Sequence, residues 1–343
     1  MLVLSVYFCL LIMNAKTHVL LTGAGFTKNF GAPLAAELWS IILGSPYLRG
    51  YSNVRKVLLD DFDFESVYHR VLTGDFTADE RTWLTRSVKS AYTYIDSTIQ
   101  DISGAGINIF GLQDMIKRFA GNRLQPGFVF TLNQDLFLER HYYNGEEPTL
   151  PGIRRGQRWF TGNFATGIQP MDVCMLPDDF PSAEELLKNS GFFYVKLHGS
   201  MNWYSSAGDG QKLVIGQGKD TQINSEPLLA RYFETFRNTL CSGEHKLLVI
   251  GYSFADSHIN RVLKESMKSG LQLFVLSPAS PERLKSRMSE QDCDDLWPAL
   301  CEYFAFDLKT LFPADQSVTP QWRHVCSRFF DDHLGWAKVD FAS

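Results

Sequence analysis

Five stretches of unbroken apolarity recur along the chain: THVLLTG from Thr17, GFVFTLNQD from Gly127, FFYVKLHGS from Phe192, HKLLVIGYSF from His245 and LQLFVLSPAS from Leu271. Continuous rather than alternating apolarity marks strands buried on both faces, the pattern of a parallel sheet covered by helices. Each stretch ends on small or polar residues: Gly23, Asn133, His198, Gly251 and Ser277. Ligands of open parallel α/β sheets bind outside the carboxyl ends of the strands. Tips that are far apart in sequence are therefore expected to meet in one place.

Between the first and second stretch the pattern changes. PLAAELWSIIL, DFESVYHRVL and FGLQDMIKRFAG read as helices, the last with Gly121 placed as a C-cap. Residues 33–119 are expected to be a helical insertion, with residues 17–32 and 120–312 forming a Rossmann-like α/β core. Residues 141–190 are rich in proline and read as loop, closing on a short helix SAEELLKNS. Residues 1–16 form an apolar N-terminal extension. It is too short to span a bilayer and lacks the basic flank and cleavage site of a signal peptide. The tail, residues 313–343, carries Trp322, Phe329, Phe330, Leu334 and Trp336, and is a candidate interface if it does not pack on its own domain.

The 343 residues are 45% hydrophobic and 21% charged, with net charge −5. Such a chain buries enough surface to fold without disulfides. Its acidic balance gives no global reason to bind nucleic acid, and a membrane span is not expected. The six cysteines are scattered without a CxxC pair, which fits reduced thiols in a cytoplasmic protein and argues against a zinc ribbon.

Four motifs carry chemistry, each with a plainer alternative. LLTGAGFTKNFG sets Gly23 and Gly25 directly after the first strand, where glycine lets backbone approach a phosphate near a helix N-terminus. Lys28 replaces the third glycine of a dinucleotide fingerprint, and a tight turn without ligand would read the same way. TLNQD offers Asn133, Gln134 and Asp135 to a sugar or amide, or Asn133 or Asp135 simply caps the next helix. YVKLHGSMNW puts His198 at a strand tip, suited to a general base, although a lone histidine is commonly a satisfied core residue. LVIGYSFADSHINRVL repeats the strand–glycine–helix grammar. There Gly251 and Ser253 suit a second phosphate contact and Asp256 can cap the helix carrying His258. Phe26, Phe30, Trp203 and Tyr252 could flank a base or ring, or be packing.

These residues resemble a family. GAGFT resembles the sirtuin GAGIS, TLNQD resembles TQNID, KLHGS resembles the HGS of the catalytic histidine, and VIGYS stands where sirtuins have a GTS-type phosphate contact. The chain is more similar still to the SIR2-like group of bacterial anti-phage NAD-hydrolysing proteins, over about residues 17–280. The resemblance implies a sirtuin-type Rossmann-like parallel sheet and an NAD glycohydrolase, with NAD as substrate and no metal. Asn133 would orient the nicotinamide ribose and the attacking water, Asp135 would hold the carboxamide, and His198 would be the general base. Gly23, Ala24, Gly25, Phe26, Thr27 and Asn29, with Gly251, Tyr252 and Ser253, would line the cofactor.

Departures from sirtuins bear on the substrate. The four zinc cysteines have no counterpart, GAPLAAELW stands in place of GIPDFR, and Gln134 replaces an apolar residue. These put acyl-lysine handling in doubt and leave NAD cleavage intact. An NAD-dependent deacylase and a non-catalytic NAD or ADP-ribose sensor remain the alternatives. The resemblance further implies a homo-oligomer, with a HerA-like ATPase or another defence protein as partner.

Overall fold

The computed structural model describes residues 15–142, 149–150, 174–177, 190–204 and 211–331. Strand β1 (His18–Thr22) is followed by helices α1 (Ala24–Lys28), α2 (Ala35–Leu43), α3 (Ser52–Asp60), α4 (Phe64–Thr73), α5 (Ala78–Thr98) and α6 (Ile109–Lys117). Then come β2 (Gly127–Thr131), α7 (Phe137–His141), β3 (Cys174–Met175), β4 (Phe192–Lys196), β5 (Gly199–Tyr204) and β6 (Gln211–Leu213). The chain continues through α8 (Lys219–Ser225), α9 (Pro227–Cys241), β7 (Lys246–Ile250), α10 (Ser257–Lys268) and β8 (Gln272–Leu276). It closes with α11 (Pro281–Glu290), β9 (Leu300–Phe304), α12 (Leu308–Leu311) and α13 (Pro320–Phe329).

All five apolar stretches are strands of one six-stranded sheet, in the order β4-β2-β1-β7-β8-β9, and every pairing is parallel. The alternation hidden inside their continuous apolarity sorts side chains between two cores. Val19, Leu21, Phe128, Phe130, Leu247 and Val249 face one cluster, with α9 and α10. Leu20, Val129, Leu248, Ile250 and Phe274 face the other, with α6 and α13. Burial on both faces is why these strands carry almost no polar residues before their tips. A small second sheet, β3-β5-β6, leaves the main one beyond β4.

The sixth strand, β9, was not among the apolar stretches. Its sequence, LCEYF, is half-buried over most of its length, and Glu302 binds Arg328 and sits beside His324. An edge strand with one neighbour tolerates that polarity, which masks its period.

The helical region divides differently from the expected insertion. Helices α2 to α5 build their own core around Leu38, Ile42, Val54, Leu58, Val67, Leu84 and Val88. Helix α6 instead packs Leu112, Met115 and Ile116 into the sheet cluster, as the crossover that returns the chain to β2. Gly121 is not a C-cap: α6 stops at Arg118, and Gly121 sits in a turn where an added Cβ would lie 2.0 Å from the Gln125 carbonyl oxygen.

The described part of the tail is core. Thr319 caps α13 by accepting the Trp322 N–H at 3.0 Å, and Trp322, Val325 and Phe329 are buried against the sheet. Phe329 meets Phe274 edge-on with centroids 5.1 Å apart, and its carbonyl pairs with His18. Leu334, Trp336 and nearly all of the N-terminal extension lie outside the described residues, as does the expected SAEELLKNS helix. Among the described residues no helix is long and apolar enough to cross a membrane.

This packing predicts the outcome of truncation. Removing one large core side chain costs about 3–5 kcal/mol, and a domain holds only about 5–15 kcal/mol in total. A chain ending at Pro320 loses two such side chains, Trp322 and Phe329, together with Val325, and is expected to lack a cooperative thermal transition by circular dichroism. A truncated protein that melts like the full chain would show α13 to be dispensable.

Candidate active site

Chain order runs outward from β1 through β2 to β4 on one side, and from β7 through β8 to β9 on the other. The direction reverses between β1 and β7, and in open α/β sheets the carboxyl ends at such a switch point are where ligands bind. The loops leaving these two strands touch there backbone to backbone. The Gly25 N–H donates to the Gly251 carbonyl oxygen at 2.8 Å. A Cβ on Gly25 would lie 2.7 Å from Gly251 Cα, and one on Gly251 would lie 2.1 Å from the Phe26 nitrogen. Gly251 also has φ +70°, a conformation that L side chains rarely adopt. Gly23 is packed the same way, its missing Cβ 2.7 Å from the Gly251 oxygen. The glycines thus serve loop-to-loop contact, and Gly25 does not offer its own N–H to an anion.

Around this crossing the structure gathers several expected residues. Thr27 is buried, and its hydroxyl accepts from Asn133 Nδ2 at 3.3 Å, joining the β1 and β2 tips. Ala24 is exposed, and its carbonyl accepts from the Thr27 hydroxyl. Phe26 packs edge-on against Phe137, centroids 5.4 Å apart, under the start of α7.

Asp135 combines both of its readings. Its Oδ1 accepts the Phe137 N–H at 3.0 Å, which is a local turn cap, while burial pushes its carboxyl up to about 6 against the pull of Lys196. Gln134 is a clamp: its amide nitrogen donates to the carbonyls of His198 (3.1 Å) and Val214 (2.8 Å). Both acceptors are carbonyls, so the amide orientation is determined, and Gln134 Oε1 is a buried acceptor without a partner among the described residues.

His198 stands at a corner. β4 ends at Lys196, and Gly199, at φ +78°, turns the chain into β5 of the second sheet, where a Cβ would lie 2.4 Å from the Lys212 carbonyl oxygen. The HGS motif is therefore a side chain followed by the residue that lets the strand leave. His198 is 4% exposed, and its Nε2 lies 2.9 Å from His258 Nε2. Burial pushes its pKa down to about 3, opposed by Asp256 and assisted by Lys219 and His258. His258 is lowered too, first by burial. Both rings are neutral near pH 7, so one Nε2 carries the proton shared between them.

Other expected contacts are placed differently. Asn29 donates its amide to the Gly25 (2.8 Å) and Phe26 carbonyls and accepts from the Leu308 N–H, so its side chain holds α1 to α12. The Tyr252 hydroxyl accepts the Asp256 N–H and reaches Asn260 Oδ1, which makes it a brace inside its own loop. Asn260 also donates to the Phe254 carbonyl at 2.7 Å, holding Phe254 at φ +60°, a strained conformation for a bulky residue. Ser253 is exposed beside it. Asp256 occupies the N-cap position of α10 but makes no side-chain cap bond. Its Oδ1 takes Lys219 Nζ at 2.8 Å, and Lys219 also pairs with Glu65 at 2.8 Å.

The cluster His198–His258–Asp256–Lys219–Glu65 was not assembled by sequence reasoning. A D-x-H at a helix start was the available signal for Asp256 and His258. Lys219 and Glu65 come from segments with no motif. Lys196 was missed as well: fully buried, it donates to the Asp135 carbonyl and pairs with Glu139 at 2.7 Å, tying TLNQD to β4.

Residues 127–295 match a protein-family model described as the SIR2-like domain. Among solved structures the chain is similar to a Sir2 homologue mutant in complex with 2'-O-acetyl ADP ribose, at 13% identity and TM-score 0.44, over 96% of this chain and 99% of that one. It is similar also to a Sir2 homolog–NAD complex, at 13% identity and TM-score 0.43, over 93% of each chain. No curated protein matches the chain. The likeness to the SIR2-like domain thus spans β2 to the segment after α11. Among the described residues Cys174, Cys241, Cys293, Cys301 and Cys326 form no disulfide.

The neutral burial of His198 has a measurable consequence. A pKa held below its unfolded value of about 6.5 contributes stability that is present above pH 6.5 and lost as pH falls toward 3. Between about pH 7 and pH 5 the loss amounts to about 2 kcal/mol. Urea unfolding at the two pH values should therefore show a steeper acid loss in the wild type than in His198→Gln, by about that amount. Equal losses would show that His198 is not buried neutral.

Proposed function

We propose that the chain is an NAD+ glycohydrolase that cleaves the nicotinamide N-glycosidic bond to give nicotinamide and ADP-ribose. The observation that carries the proposal is the joint burial of Asn133 and His198 at the tips of neighbouring parallel strands. They stand beside the glycine crossing at the β1/β7 switch point, within a SIR2-like domain. Relatives in that fold class include a Sir2 homolog bound to NAD.

In this reading the dinucleotide lies across the switch point, with its diphosphate near Gly23, Ala24, Thr27 and Ser253. The C1'–N bond breaks with its electron pair going to nicotinamide, and positive charge develops on the ribose. Asn133, its amide anchored on Thr27, orients the ribose and the incoming water. Asp135 has one oxygen committed to the Phe137 N–H and presents the other to the carboxamide. His198 is neutral, the form that can accept the proton released by water; burial disfavours the imidazolium that results, and the Asp256 charge offsets part of that cost. A positioned base contributes about 10²–10⁴-fold in rate.

The resemblance in GAGFT, HGSMNW and IGYSFADSHIN extends the proposal to a role: depletion of cytoplasmic NAD in anti-phage defence. The active form would then be a homo-oligomer or a complex with a HerA-like ATPase.

Purified protein incubated with NAD should release nicotinamide. Asn133→Ala and His198→Ala should each lower that release by about two orders of magnitude or more, while circular dichroism stays native. Near-normal turnover in both variants would defeat the assignment. Formation of O-acyl-ADP-ribose from an acylated peptide would replace it with deacylation.

A further inference from the structure

We propose that His198, His258 and Asp256 form a site for a divalent transition-metal ion of the zinc class, and that its occupancy silences NAD cleavage. It is the one group among the described residues in which three side chains able to ligate a metal converge, their ligand atoms all within 4.8 Å of one another. The ligands come from two places that only the fold brings together. His198 stands at the corner between β4 and β5, and Asp256 and His258 stand two residues apart at the start of α10.

The chemistry of the set is that of a borderline cation: two neutral imidazole nitrogens and one carboxylate, with a coordination position left open. The rings already face each other through Nε2, 2.9 Å apart. Two Nε2 atoms bound to one tetrahedral ion at ordinary zinc–nitrogen distances lie roughly 3.3 Å apart, so admission needs the nitrogens to part by a few tenths of an ångström and the rings to tilt until both lone pairs converge on the ion. The proton now between the rings need not leave the protein, because the imidazole that carries it on Nε2 can hold it on Nδ1 instead.

The surroundings favour a cation. The rings are neutral, and Asp256, Glu65 and Lys219 together leave one negative charge. Lys219 occupies Asp256 Oδ1, and the carboxylate has a second oxygen. The loop that presents Asp256 is held rigidly, with Phe254 strained at φ +60° and Asn260 binding its carbonyl. A hydrogen-bonded pair of histidines alone would not call for that stiffness in the third member.

The silencing rests on the function proposed above. An ion on His198 Nε2 takes the lone pair with which that ring would accept a proton from water, so metal occupancy and base catalysis exclude each other.

The test uses the untagged full chain, stripped with chelator and titrated with Co2+ alone. One Co2+ per chain should bind, with the intense visible bands of a four- or five-coordinate ion, and Zn2+ should displace it. His258→Gln and Asp256→Asn should each weaken binding at least about a hundred-fold, since losing even an outer-shell partner of a ligand costs about 10–100-fold. Nicotinamide release should fall in proportion to Zn2+ occupancy and return with chelator. If the variants do not fold, the wild-type spectrum decides: absence of stoichiometric bands overturns the site, as does undiminished binding in folded variants. An ion that binds while NAD cleavage continues overturns the silencing but leaves the site. A protein that never cleaves NAD overturns the catalytic reading, and the Co2+ titration still answers for the metal.

Discussion

Where the loop after β1 crosses the loop after β7, two backbones touch with no side chain between them, and the rest of the site takes its position from that contact. The Gly25 N–H binds the Gly251 carbonyl, and neither position has room for a Cβ. The crossing falls in the first turn of α1, at Gly25. Phe26 then reaches Phe137, and Thr27 reaches Asn133. A methyl group at either glycine would force the loops apart by roughly 1–2 Å, since nonbonded carbons sit about 3.5–4.0 Å apart. The link from the first strand's tip to the second would then be lost. The glycines look like a phosphate signature in sequence. In the structure they first hold two tips of the sheet together.

Polar side chains buried at strand ends require partners, because an unpaired buried charge is strongly destabilising. The chain supplies them from outside the motifs. Lys196 is buried against the Asp135 carbonyl and Glu139, which fastens TLNQD to β4. Lys219 stands between Asp256 and Glu65. The second lysine matters for architecture as well as charge, because Glu65 belongs to α4 in the helical unit and Asp256 to the loop after β7. Asp96 and Arg140 make a comparable bond between α5 and α7 at 2.7 Å. The helical unit, which has a hydrophobic core of its own, is thus joined by ion pairs to both sides of the site.

The five strands and their polar tips were legible because burial on both faces leaves an unmistakable record: uninterrupted apolar residues that end where solvent or ligand begins. The sixth strand left no such record. β9 has a neighbour on one side only, and its Glu302 is accommodated by Arg328 and His324. The period does not separate α6 from the helical unit either, since α6 has the same amphipathic pattern as α2 and α4. Which core a helix's apolar face meets is not written in its period. The tail was ambiguous for the same reason: Trp322 and Phe329 would look alike whether they met a partner or, as they do, their own sheet.

What the sequence by itself determined, then, is the local part of the protein. It carried the parallel sheet, the strand tips, the glycines and the places of Asn133 and His198 at those tips, because each follows from burial or backbone freedom over a few neighbouring residues. The tertiary structure decided what each of these side chains touches. It turned Asn29 and Tyr252 into supports, made Gln134 a clamp on the His198 corner, and set His258 against His198 with Asp256 between Lys219 and the rings. The two relations that involve His198 join residues 60 and 64 positions apart. Their energies depend on distances of a few ångströms, which no local pattern along a chain can encode.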